Sequence, residues 1–277
     1  MPTFATPGPI AATVEVAGAR VRVSASDRTD TVVLVEPVDG TSRKDVRVAE
    51  KTKVDFAGGR LSVKTTVSGD KDGSVAIAID LPAGSTLAAY LAYADVQTDG
   101  PLGGCELHMA SGRVRLERVD ALTGNVAGGA VAVGRVAGRA DIEGGAFDLR
   151  IGEVEGPVAL SNAGGRAWIG HASADLEIGS SSGDVDIERA DGSVTATTAG
   201  GAIRIGRMTH GHAKLMTGSG NIEVGIGEGA AASVDADSQR ASVRDTVSSP
   251  EAGPTDTKVS VYARTRHGDI VVRRAAG

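Results

Sequence analysis

Residues 165–224 read GRAWIGHASADLEIGSSSGDVDIERADGSVTATTAGGAIRIGRMTHGHAKLMTGSGNIEV, and what recurs in them decides the fold. Gly183 is followed two and four residues later by Val185 and Ile187, Gly201 by Ile203 and Ile205, and Gly220 by Ile222 and Val224. Further upstream the same aliphatic pair appears as Val114/Leu116, Val131/Val133, Leu149/Ile151 and Ala167/Ile169, with Phe147 standing where a glycine would precede Leu149. The second members lie 17, 18, 18, 18, 18 and 19 residues apart. Out of phase with them runs a second series, Ala140/Ile142, Val158/Leu160, Leu176/Ile178, Val194/Ala196, Ala213/Leu215 and Ala232/Val234, stepping by 18, 18, 18, 19 and 19.

Each repeat of about 18 residues therefore holds two short strands whose period of two sends the paired aliphatics to one face. A helix would need apolar positions three and four apart, and every recurring glycine would cost it about 1 kcal/mol. Strands this short bury their apolar side by stacking coil upon coil, with glycine at the tight corners. The spacing predicts a parallel β-solenoid over residues 100–277. Ala12–Val23, Thr31–Val35, Asp45–Val48, Arg60–Val67 and Ser74–Leu81 alternate over ordinary strand lengths between polar turns such as Pro37–Arg43 and Ser68–Gly73. They predict a small antiparallel β-sandwich or meander over residues 1–99 that caps the solenoid. The stretch 246–257, TVSSPEAGPTDT, has two prolines and no period, and reads as an exposed loop.

Composition agrees with a narrow stacked core. Of 277 residues 39 are Gly, about twice the usual share, and only 3% are aromatic. The net charge of −6 is the wrong sign for a sequence-independent nucleic-acid binder. A single Cys105 offers neither an internal disulfide nor a thiolate cluster. No run approaches the ~18 apolar residues of a membrane span, and the first residues lack the basic and apolar regions of a signal peptide. These features predict a cytoplasmic chain with no membrane insertion.

Asp80-Leu81-Pro82-Ala83-Gly84-Ser85-Thr86-Leu87, the corner Ser182-Gly183-Asp184-Val185-Asp186-Ile187, and Arg264-Thr265-Arg266-His267-Gly268-Asp269-Ile270 resemble a bacterial family of "putative adhesins", similar in style to the bactofilin-type solenoids. The resemblance covers residues 75–277 most strongly. It implies a β-solenoid of unsettled biochemical role, because the shared motifs are structural corners.

No catalytic, cofactor or metal site emerges. His210-Gly211-His212 and His171 fall at different corner positions, so they read as solvent-exposed corner residues. The strings Gly124–Gly129 and Gly225–Gly229 lack the lysine and following helix of a phosphate loop. Cys105 alternates with Leu107 and reads as a small buried side chain. The outward positions of the first series run Arg115, Ala132, Arg150, Trp168, Asp186, Arg204, Glu223, with no two adjacent acids for carboxylate-pair chemistry. The expectation is a non-enzymatic structural or protein-interaction module with no cofactor, whose protein partner is unknown. A carbohydrate-binding or carbohydrate-active solenoid, with its site between the N-terminal strands and the coils, is the alternative. Trp168, Arg150 and Arg204 are the candidate partner surface, an exposed patch in which arginine stacks on the indole; the alternative is that the N-terminal strands or an arginine stem simply cover Trp168. Charged terminal strands, Lys258–Arg264 and Asp269–Arg274, predict a monomer or small closed oligomer rather than a filament.

Overall fold

The computed structural model describes residues 2–65, 73–247 and 258–275, which divide between two units, Met1–Ala137 and Gly138–Gly277. Most of the predicted loop 246–257 and of the turn Ser68–Gly73 lies outside the described residues.

The first unit contains β1 (Thr3–Ala5), β2 (Ala11–Ser26), β3 (Asp30–Pro37), helix α1 (Arg43–Lys51), β4 (Lys53–Ala57), β5 (Arg60–Lys64), β6 (Val75–Pro82) and β7 (Thr86–Val136). The antiparallel pairing expected of the N-terminal strands occurs between β1 and β3, β3 and β6, and β4 and β5. By contrast β2 runs parallel to β5 and β6 on one side and to the start of β7 on the other. It supplies a rung of the same kind as the repeats, with Val14, Val16, Val21 and Val23 buried. β7 is long because it passes through several coils. Gly112 lies against Ala94, Gly124 against Leu107 and Gly129 against Gly112, so each pass sits 17 or 18 residues from the last.

The expected strand Asp45–Val48 is instead part of α1. The Asp45 amide donates to the Ser42 hydroxyl at 3.3 Å and Ser42 donates back to the Asp45 carboxylate, closing an N-terminal cap. Val46 and Val48 imitate strand alternation over too short a span to outweigh that cap. Only Val48 of the helix is buried.

The second unit contains β8 (Ala140–Val154), β9 (Val158–Gly164), β10 (Ala167–Ala172), β11 (Leu176–Ser180), β12 (Val185–Ala190), β13 (Val194–Thr198), β14 (Ile203–Met208), β15 (Gly211–Thr217), β16 (Ile222–Ile226), β17 (Ala231–Ser238), β18 (Val243–Asp245), β19 (Lys258–Thr265) and β20 (Ile270–Arg274). It is a parallel β-solenoid. One side stacks β8, β10, β12, β14 and β16; the other stacks β9, β11, β13 and β15, both in the expected register. Every member of both aliphatic series from Ala140 to Val224 is buried.

A third inward column completes each coil. Between Ile187 and Ala190 two successive residues face out, so alternation breaks and Ala190 turns inward again. Val154, Ala172, Ala190, Met208 and Ile226 stack in register, and all five are fully buried. A fourth column is polar. Asn162, Ser180, Thr198, Thr217 and Thr265 lie on successive rungs beside the glycine corner. Thr198 donates to the Gly183 carbonyl at 3.2 Å, Thr217 to Gly201 at 2.9 Å and Thr265 to Gly220 at 3.1 Å. These bonds tie each corner to the coil before it.

The order of the last coils departs from the sequence. β19 lies between β15 and β17, and β20 between β16 and β18. The expected rung from Ala213/Leu215 to Ala232/Val234 is therefore filled by Val261/Ala263, and Lys258–Arg264 with Asp269–Arg274 are interior strands rather than the end of the stack. Polarity explains the exchange. Val259, Val261, Ala263, Ile270 and Val272 are buried on their rungs, whereas Ala232 and Val234 are half-buried and all of β18 is exposed. The more apolar segment occupies the interior, and the segment carrying Asp235, Asp237, Arg244 and Asp245 faces solvent at the edge.

Candidate functional site

In the second unit the outward column of the first series is a ladder of Arg150, Trp168, Asp186, Arg204 and Glu223 in strict register. Trp168 lies between buried Ala167 and Ile169, so the strand turns its indole outward. The indole has room along the strand because residue 170 is Gly: a Cβ there would stand 3.0 Å from the ring's Cη2 atom. The Arg150 guanidinium lies 3.6 Å from the ring centroid, a cation–π contact that leaves Trp168 half-buried. Arg204 is two rungs away and is engaged elsewhere, 3.2 Å from Asp186 and 3.8 Å from Glu223. Arg273 then meets Glu223 at 2.7 Å. The structure thus brings Arg150 onto Trp168 and holds Arg204 in a chain of ion pairs beside them.

A second cluster gathers at the next corner. His171 Nε2 lies 2.7 Å from the Asp191 carboxylate and its Nδ1 4.0 Å from Glu153. Arg189 meets the same Asp191 carboxylate at 2.9 Å, and the Thr209 hydroxyl donates to it at 2.7 Å. Burial would raise the Asp191 carboxyl, but the donors Arg189, Thr209 and His171 outweigh it and hold it at about 2. His210 lies at the turn within 3.1 Å of the Thr209 hydroxyl, and His212 is exposed on β15. Among the described residues no group of three or more His, Cys, Asp or Glu is placed to hold a metal ion. The sequence reading missed Asp191 as a hub. Its signal was the local Arg189-x-Asp191 spacing, which recurs as Arg139-x-Asp141 and Arg28-x-Asp30, each an ion pair.

In the first unit, Tyr90 and His108 stack in parallel with ring centroids 4.9 Å apart. Glu106 lies 2.8 Å from His108 Nε2 and accepts from the Tyr90 hydroxyl at 3.4 Å. The Glu106 charge, with a smaller effect of burial, raises the Tyr90 phenol. All three tyrosines of the chain, Tyr90, Tyr93 and Tyr262, are exposed. Cys105 is buried, and burial pushes its thiol up to about 12, with Glu106 adding to the effect, which disfavours the thiolate.

A family model described as Toastrack DUF4097 matches residues 12–273. The chain belongs to the Toastrack DUF4097 family. No curated protein matches it in sequence. Solved structures similar to this Toastrack chain include a putative adhesin from Parabacteroides distasonis, at 14% identity and a TM-score of 0.48, covering 98% of this chain and 95% of the other. A putative adhesin from Parabacteroides merdae shows 13% identity and a TM-score of 0.44, with 98% and 94% covered. One from Bacteroides fragilis shows 15% identity and a TM-score of 0.36, with 98% and 95% covered. Among the described residues of this Toastrack member no helix is long and apolar enough to cross a membrane.

Proposed function

We propose that the chain is a non-enzymatic protein-interaction module of the cytoplasm, and that the Trp168 face of its second unit carries the contact. The observation behind this reading is the rigid outward ladder, where Arg150 covers one side of the lone Trp and Arg204 sits in a chain of ion pairs beside it. Trp and Arg together are the residue types most enriched where binding energy concentrates. Carboxylates on this face are engaged by arginine rather than paired with one another for acid–base work. The charged edge strand β18 favours a monomer or small closed oligomer.

The test uses wild-type, Trp168→Ala and Arg150→Ala chains as bait in native bacterial extract. A protein retained by the wild type and lost from both variants, at unchanged melting temperature, supports the reading. Retention of the same proteins by all three chains refutes it. Turnover of a polysaccharide by the purified chain would refute the non-enzymatic part, and recovery of a tagged chain outside the cytoplasm would refute its location.

A second reading, a carbohydrate-binding solenoid, draws on the Tyr90–His108 ring pair with Glu106 at hydrogen-bond distance, set where β2 meets β7. Glycan-array binding that disappears with Tyr90→Ala would favour it, and an empty array would remove it.

A further inference from the structure

The first unit repeats one short motif at matched height. Arg20-Val21-Arg22 on β2 and Arg113-Val114-Arg115 on β7 are 93 residues apart in sequence, yet both present their arginines outward around a buried valine. Arg20 pairs in register with Asp95 and Arg22 with Gln97, and Gly112 packs against Ala94, which sets Arg113 beside Asp95 and Arg115 beside Gln97. The two Arg-Val-Arg motifs are thus two strands apart, roughly 10 Å at the usual strand spacing. On the other side of β2 the facing residues of β6 are Ala76 and Ala78, opposite Glu36 and Leu34 of β3. The short alanines leave a trough of about 350 Å³ between taller neighbours.

In the second unit Arg139, Arg189, Arg204 and Arg273 each meet a carboxylate within 3.2 Å. In the trough Arg22 is held by Asp99 at 3.0 Å, and Gln97 also leans on Asp99 at 3.2 Å. Among the described residues, the guanidiniums of Arg20, Arg113 and Arg115 make no hydrogen bond or ion pair. Four guanidiniums face the three carboxylates Glu36, Asp95 and Asp99, so one positive charge is in excess. Arg20 and Arg113 flank the Asp95 carboxylate, whereas Arg22 and Arg115 flank the uncharged Gln97.

We propose that this trough binds a small phosphate monoester. Its phosphate is gripped over β2 by the guanidiniums of the two Arg-Val-Arg motifs, and its apolar body rests on Ala76 and Ala78 of the adjacent strand. Arginine suits the task because its planar fork grips a phosphate through two parallel hydrogen bonds. A phosphate head offers acceptor oxygens to the three unpartnered guanidiniums, whereas a neutral ligand would leave them unsatisfied. The alanines set the size of the body, since a longer side chain at either position would fill the trough.

The test is isothermal titration calorimetry of the full chain at low salt with phenyl phosphate, inorganic phosphate, benzoate and phenol. Phenyl phosphate should bind about tenfold tighter than inorganic phosphate, benzoate more weakly than phenyl phosphate, and phenol not at all. The double variant Arg113→Gln/Arg115→Gln should weaken phenyl phosphate by at least about tenfold. Ala78→Leu should erase its advantage over inorganic phosphate while leaving inorganic phosphate unaffected. Circular dichroism of each variant checks that it is folded, and Arg113→Lys/Arg115→Lys replaces any variant that is not. Phenyl phosphate binding no tighter than inorganic phosphate overturns the proposal. So does binding unchanged in the double variant, and benzoate equal to phenyl phosphate overturns the assignment to phosphate.

Discussion

Replacing Gly201 by Ala is the most direct probe of what holds the coils together. A Cβ built at Gly201 would stand 2.0 Å from the Gly183 carbonyl oxygen and 2.5 Å from its carbon, where ordinary contact begins near 3.4 Å. The corner must open by about 1.4 Å, against backbone on both sides rather than a movable side chain. Such overpacking costs about 1–3 kcal/mol. The opening also strains two corner hydrogen bonds, Gly201 N–H to Thr198 at 3.1 Å and Thr217 to the Gly201 carbonyl at 2.9 Å. Each is worth about 1 kcal/mol. Stiffening of the unfolded chain returns roughly 0.4–1 kcal/mol. The net expectation is a loss of about 2–4 kcal/mol, or a fall in Tm of roughly 4–16 °C for a chain of this size. The control is the adjacent residue. A Cβ at Gly200 meets nothing nearer than Ser182 at 3.8 Å, so Gly200→Ala should stay within about 0.5 kcal/mol of wild type. Both variants are followed by calorimetry and urea unfolding. Equal stability of the two would show that the corner is compliant, and the close-approach argument would fall.

Asp191→Asn should remove a pH-dependent contribution. The folded carboxyl lies at about 2, below its unfolded value near 3.9, so its stabilisation is present above pH ~4 and is lost as pH falls toward 2. Wild type should lose up to about 2 kcal/mol across that window in urea titrations, and the variant should show a flatter profile. Asn162 is buried with neither side-chain polar atom hydrogen-bonded, on a column that continues as Ser180, Thr198 and Thr217. Asn162→Thr should therefore stabilise by about 1 kcal/mol in the same assay, and a destabilised variant would refute the reading of that column. Deleting residues 258–277 should cost far more than the loss of an end coil. It strips β15, β16, β17 and β18 of their shared partners at once, and sedimentation should show association through the bared strands.

The repeat was legible because stacking forces equivalent residues to one spacing, and the Ala167/Ile169 and Val185/Ile187 rungs pair as that spacing requires. The third inward column keeps the same 18-residue interval from Val154 to Ile226. It escaped notice because Glu188 and Arg189 both face outward and break the alternation that makes a strand visible. The order of the final rungs could not be read from intervals. Ala232/Val234 follow Ala213/Leu215 by 19 residues, yet the stack chooses between segments by how much apolar surface each offers, and Val259, Val261 and Ala263 offer more. At the candidate surface, alternation placed Trp168 outward with Arg150 alongside. It could not show that Arg204 would be claimed by Asp186 and Glu223, because the choice among neighbouring partners depends on side-chain rotamers.

The interleaving of β19 and β20 also constrains how such a chain can change length over evolutionary time. Repeat proteins usually grow by duplicating a unit, and a copy appended downstream of the final unit simply lengthens the array. Here a copy placed after residue 275 would follow strands that already have neighbours on both sides, and would find no free rung beside them. New coils can be accommodated upstream of β17, or between β18 and β19 where they would add to the exposed edge. The edge segment and the strands tucked beneath it are then carried along as one interlocked block, while the coils before them are free to multiply.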